Sequence, residues 1–98
     1  MSGNVSLVEH KGPTSIYIRV EITDDGDLLF SGQDLGEAPR KVFGDSDYEY
    51  WLTIKAIDKD RVLLALIEKH YSGNTTLISE LMEYFKTKDI AYDFQSYS

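Results

Sequence analysis

Two short acidic runs have the composition of a cation site: Asp24-Asp25-Gly26-Asp27 and Asp45-Ser46-Asp47. Clustered carboxylates are the oxygen ligands that hard divalent ions take. An EF-hand calcium loop, however, needs acids at alternate positions, Gly at the sixth, Glu at the twelfth and a helix on either side. Neither run has that spacing, and the flanking residues alternate as strands do, so both read as turns and no metal is expected. His10 and His70 stand far apart, and neither has a second His or a Cys at ligand spacing. Paired carboxylates such as Asp45 and Asp47 do glycosidase chemistry only across a cleft that holds a sugar, and 98 residues leave little room for one. Gly32-Gln33-Asp34-Leu35-Gly36 lacks the Lys of a phosphate loop, and its acid repels phosphate. No G-x-S-x-G or Rossmann glycine pattern occurs. The expectation is a protein without catalytic residues and without a cofactor.

The aromatic residues suggest another kind of chemistry. Tyr17, Arg19, Trp51 and Lys55 fall on the polar side of two alternating segments. Aromatics accompanied by Arg are the residues enriched at binding hot spots. On RNA-binding sheets such aromatics stack bases, but the charge of this chain opposes that use. It carries 10 basic and 17 acidic residues, net −7. Such a surface repels phosphate backbones and attracts basic proteins. From Asp24 to Glu49 eight acids (Asp24, Asp25, Asp27, Asp34, Glu37, Asp45, Asp47 and Glu49) face only Arg40 and Lys41, a net −6. A basic protein partner is therefore expected, bound by those eight acids with Trp51 and Tyr17 as anchors. Direct nucleic-acid binding is not.

The absence of cysteine removes disulfides and thiolate metal sites and suits the cytoplasm. The N-terminus has neither the basic start nor the apolar stretch of a secretory signal. No apolar run reaches the length of a membrane span, and no membrane contact is expected. In size, acidity and lack of cysteine the chain resembles bacterial immunity proteins. That resemblance implies a neutraliser of a basic toxin, such as a nuclease, that covers the toxin's active site.

The elements that must position these residues follow from periodicity. Residues 15–23 alternate, with Ile16, Ile18, Val20 and Ile22 on one side and Tyr17, Arg19 and Glu21 on the other. Period two with β-branched residues predicts a half-buried strand. Residues 24–27 turn it into a return strand at 28–31, and residues 5–9 form a shorter strand before it. Residues 32–46 hold three Gly and one Pro and follow neither period, which predicts a long loop. Alternation resumes at 48–57, with Tyr48, Tyr50, Leu52 and Ile54 opposite Glu49, Trp51 and Thr53. Asp58 is placed to cap a helix over 59–71 that ends near Gly73. A second helix over about 75–88 carries Leu77, Ile78, Leu81, Met82 and Phe85 on one stripe. Residues 90–94 alternate once more as a last strand.

The order β-β-β-β-α-α-β predicts one globular domain over residues 1–98 in the α+β class. It comprises an antiparallel or mixed sheet of four to five strands with two helices packed on one face. Two further functional readings follow. A small enzyme or ligand-binding domain would place a pocket under residues 32–46, lined by Tyr48, Tyr50, His70 or Tyr92. A homo-oligomer would pair through Trp51 or through an exposed strand edge.

Overall fold

The computed structural model describes residues 3–97. The protein is α+β. Four strands, β1 (Asn4–His10), β2 (Thr14–Ile22), β3 (Leu28–Gly36) and β4 (Asp47–Ile54), form one antiparallel sheet in the order β1-β2-β3-β4. Three helices complete it: α1 (Glu37–Phe43), α2 (Lys59–Tyr71) and α3 (Leu77–Thr87). The chain folds as two compact units, Met1–Leu63 and Leu64–Ser98.

In the first unit, the alternation of β2 sets the register for the whole sheet. Val20 lies opposite Val5 on one side and Phe30 on the other, and Phe30 lies opposite Leu52. Ile22, Leu28 and Ile54 make the next row. Partners directly opposite share a face, so these rows form one apolar face. This face is half-buried along β2 and β3 and opens at β4, where Leu52 is 61% exposed.

The β2–β3 turn is tied down from a distance. The Ala56 backbone N–H donates to Asp27 Oδ1 at 2.9 Å, Lys55 Nζ meets Asp27 Oδ2 at 3.3 Å, and Lys59 Nζ donates to the Gly26 carbonyl at 2.8 Å. These bonds fix the short 3-10 turn Ala56–Asp58 that leads into α2. The first amides of a helix lack intrahelical partners, and here Asp27 supplies one. Asp58 does not act as the cap, contrary to its position in the sequence; it accepts from Arg61 Nη1 at 3.3 Å instead.

Residues 32–46 are not a loop. Residues 32–36 complete β3, paired with β2 on one side and, through Leu35, with β4 on the other. The next seven residues are α1. Pro39 stands in the first turn of α1, where its missing N–H costs nothing. Gly44, with φ 76°, closes the helix in the left-handed region, its N–H donating to the Arg40 carbonyl. The Ala38 N–H donates to Thr14 Oγ1 at 2.9 Å, and the Phe43 ring stacks on Tyr48 at 4.4 Å.

In the second unit, α2 ends as expected: Gly73 has φ 82° and the Asn74 N–H donates to the Tyr71 carbonyl. Asn74 then starts α3. Its side-chain oxygen accepts from the Thr76 N–H at 3.0 Å, and its amide donates to Glu80 Oε2 at 2.6 Å. The expected last strand at 90–94 does not form. Residues 90–97 have no regular structure and fold back along the apolar stripe of α3, the Tyr92 and Phe85 rings lying 6.4 Å apart. Alternation alone does not make a strand when no other strand offers a ladder. Among the described residues no helix is long and apolar enough to cross a membrane.

Candidate functional site

The face of the sheet opposite the apolar one is polar and carries a groove of about 520 Å³. Two rows across the strands build it. One row is Ser6, Arg19, Ser31 and Trp51; the next is Glu9, Tyr17, Gln33 and Glu49. Ser31 is the short residue between Arg19 and Trp51. Strands lie about 4.8 Å apart, so these two long side chains rise from positions about 10 Å apart with a low floor between them. That difference in side-chain length is what makes a groove on an otherwise continuous sheet.

Trp51 is 63% exposed, Arg19 is exposed and Tyr17 is half-buried. A wall of aromatic surface thus faces a cation, with carboxylates on both flanks. On one flank Glu9 Oε1 accepts from Ser6 Oγ at 3.0 Å. On the other stands Glu49 beside Gln33, whose amide donates to Asp47 Oδ1 at 3.1 Å. The bond holds the Asp47 carboxylate over the end of the polar face, and Asp45 Oδ1 accepts from the Asp47 N–H at 3.2 Å.

Glu9 reaches the groove because β1 is irregular. The pairing with β2 shifts between Ser6 and Val8, so Leu7 bulges. A bulge lets residues an odd number apart share a face, and Ser6 and Glu9 do so. Strict alternation from Val5 would have put Glu9 with the valines.

The acids expected to act together are divided. Asp47, Glu49, Trp51 and Tyr17 share the polar face. Asp24, Asp25 and Asp27 lie in the β2–β3 turn at the far end of the strands. Nine strand residues separate the two ends, roughly 30 Å at the usual rise. Asp27 serves the fold there: the Ala56 N–H, Lys55 and Lys59 together hold its carboxyl below the usual carboxylate range, against a smaller opposing effect of burial. Asp34 projects from the apolar face and accepts from Tyr50 Oη at 3.0 Å. Burial first, and Asp34 second, push the Tyr50 phenol above its ordinary value. Glu37 opens α1, and Asp45 stands just after that helix.

The residues that sequence reasoning misses are Glu9, Ser31 and Gln33. Ser31 and Gln33 follow as partners of Arg19 and Tyr17 once the hairpin is placed. Glu9 does not, because the bulge that turns it has no Gly or Pro to mark it. Among the described residues no cluster of His, Asp and Glu could hold a metal ion.

No family model matches the chain, and no curated protein or solved structure matches it either.

Proposed function

We propose that the protein is a non-catalytic binding module that takes a basic protein partner on the polar face of its sheet. The observation that carries this reading is Trp51, the one tryptophan of the chain, standing 63% exposed beside a groove flanked by Glu9, Glu49 and Asp47. A Lys or Arg side chain laid in the groove beside β4 meets the Trp51 ring and the Glu49 carboxylate together, with Glu9 across the sheet and Asp47 further along β4 adding to the negative field. Cation–π contact with Trp is the strongest of its kind, and a charge-assisted hydrogen bond to a carboxylate adds to it. Arg19 on the opposite wall offers donors to a carbonyl or carboxylate of the same partner. The net −7 of the chain speeds the encounter, and the aromatics supply most of the affinity.

The narrower form of this reading is an immunity-type neutraliser, the partner being a basic toxin such as a nuclease. Only the acids near Trp51 belong to the contact. Asp24, Asp25, Asp27 and Asp34 contribute to the overall field.

Trp51 reports on the contact directly, because no other tryptophan shares its emission. Titration with an arginine-rich peptide and with a basic ribonuclease is expected to shift Trp51 emission to the blue, saturably, with affinity falling as salt rises. Unchanged emission with both probes, or an affinity indifferent to salt, overturns the reading. Loss of the ribonuclease's activity on adding the chain tests the narrower form.

A further inference from the structure

The two edges of the sheet differ. The β1 edge is interrupted by the bulge at Leu7, one of the devices that keep an edge from pairing with another chain. The β4 edge has no bulge, and its only charges are the acids Asp47 and Glu49 on the polar face. β4 pairs with β3 without a break, every residue from Asp47 to Ile54 having a partner. Within β4 there is no Pro, no Gly and no Lys. Tyr48, Trp51 and Leu52 are 38%, 63% and 61% exposed. A long, regular edge strand with exposed apolar residues is a template for another strand.

The geometry points to a second copy of this chain as the occupant: β4 pairs antiparallel with β4 of that copy, across a two-fold axis at Trp51. The register follows from β4 itself. With Trp51 opposite its own counterpart, Tyr50 meets Leu52 and Tyr48 meets Ile54 on the apolar face. On the polar face Glu49 meets Thr53, and Asp47 meets Lys55 just beyond the strand end. The symmetry makes every unlike pair twice, so two Asp47–Lys55 pairs close the two ends of the ladder. Opposite charges directly across a ladder favour it, as do aromatic–aliphatic pairs. Lys55 is 75% exposed and can share itself between Asp27 and the second copy.

The neighbouring registers fit less well. Centring on Tyr50 sets Glu49 against Trp51 and Asp47 against Thr53, and puts Lys55 opposite Asp45, which lies in the bend before β4, so no residue of the strand itself makes an ion pair. Centring on Leu52 sets Glu49 against Lys55 but leaves Tyr48 and Asp47 beyond the end of the partner strand. A one-residue slip would bring apolar side chains onto the polar face. The dimer joins two grooves into one polar face of eight strands with both Trp51 rings at its centre. Its seam shares Trp51 with the partner-binding groove, but its test, the mass of the chain alone, does not depend on that reading.

Sedimentation of the unaltered chain tests the pairing without any substitution. The expected mass at high concentration is twice 11.2 kDa. The register is tested by cross-linking, since the chain has no cysteine of its own. Under mild oxidation Trp51→Cys is expected to give a disulfide-linked dimer, because directly opposite residues lie about 5 Å apart. Thr53→Cys is expected to give little, its two copies lying roughly 13 Å apart by the strand rise. Asp47→Lys is expected to weaken dimerisation about tenfold, and added salt to restore part of it. A monomeric mass at all concentrations overturns the proposal and leaves the edge to a strand of a different protein. Cross-linking faster at residue 53 than at residue 51 also overturns it.

Discussion

The ring of Tyr50 lies across Gly32 on the neighbouring strand, so close that a Cβ at residue 32 would collide with three of its atoms. The same phenol donates to Asp34 two residues further along β3. Gly32 is buried beneath the ring. A glycine that weakens a strand by leaving nothing to pack is thus covered by a cross-strand aromatic. Gly32→Ala is expected to destabilise the protein by about 1–3 kcal/mol, the usual cost of overpacking. Tyr50→Phe should cost about 1 kcal/mol for the lost hydrogen bond. In Gly32→Ala/Tyr50→Ala the clash is gone, so the losses of Gly32→Ala and Tyr50→Ala should not add. Denaturant unfolding of these variants beside the unaltered protein measures the coupling, and strict additivity would sink the account.

Asp27 makes stability depend on acid. Its folded pKa is lowered, first by the Ala56 N–H. A lowered carboxylate pKa contributes stability above the unfolded value, and that contribution is lost as pH falls through the folded one. Asp27→Ala is therefore expected to melt below the unaltered protein near neutrality. The difference should shrink through and below the usual carboxylate range. Melting followed by circular dichroism from neutral to strongly acid solution gives both curves, and a gap that stays constant would remove Asp27 from the explanation.

How far the fold is legible in the sequence depends on whether local pattern and long-range pairing agree. β2 announces itself because Ile16 through Ile22 alternate with polar residues over most of its length, and the register of β3 follows from it, whereas that of β1 is shifted by the bulge at Leu7. α3 is readable for the same reason at helical period. The segment 32–46 is not. Gly32 and Gly36 are poor strand formers, and they are held in β3 by the ladders of its neighbours rather than by their own preference. The seven residues of α1 are too few to display a helical period, and Pro39 within them reads as a break. The cap of the 3-10 turn comes from Asp27, 29 residues away from Ala56, so no local motif could reveal it. For the groove, alternation places Tyr17, Arg19 and Trp51 together correctly. The acidic segment does not stay together: Asp24, Asp25 and Asp27 stand in the β2–β3 turn, at the other end of the strands from Asp47, while Asp47 and Glu49 share the polar face.

Asp89 holds the end of α3 at some cost. It is the one non-glycine with positive φ among the described residues, at 56°. The Ile90 N–H donates to the Phe85 carbonyl at 2.9 Å and the Asp89 N–H to the Lys86 carbonyl at 3.2 Å. This pair of bonds is the Schellman closure, whose left-handed residue is usually Gly. Asp89 also places a negative charge at the negative end of the helix. Asp89→Gly is expected to stabilise the protein by about 0.5–1 kcal/mol. Asp89→Val should destabilise it. Thermal unfolding of both variants checks the order, and a gain from valine would contradict it.

Trp51 separates folding from binding. A side chain 63% exposed on the polar face contributes little to the packing of the sheet. Trp51→Ser should therefore cost no more than about 1 kcal/mol, the span of strand preference alone. At a binding hot spot the same truncation costs about 2 kcal/mol or more of affinity, roughly thirtyfold. Tyr17→Ser, at a half-buried position in the middle of β2, should lose both stability and affinity. Calorimetric titration of each variant with the basic ribonuclease, beside its denaturant unfolding curve, reads the two quantities independently. If Trp51→Ser unfolds the protein and leaves binding intact, Trp51 belongs to the fold and the partner lies elsewhere.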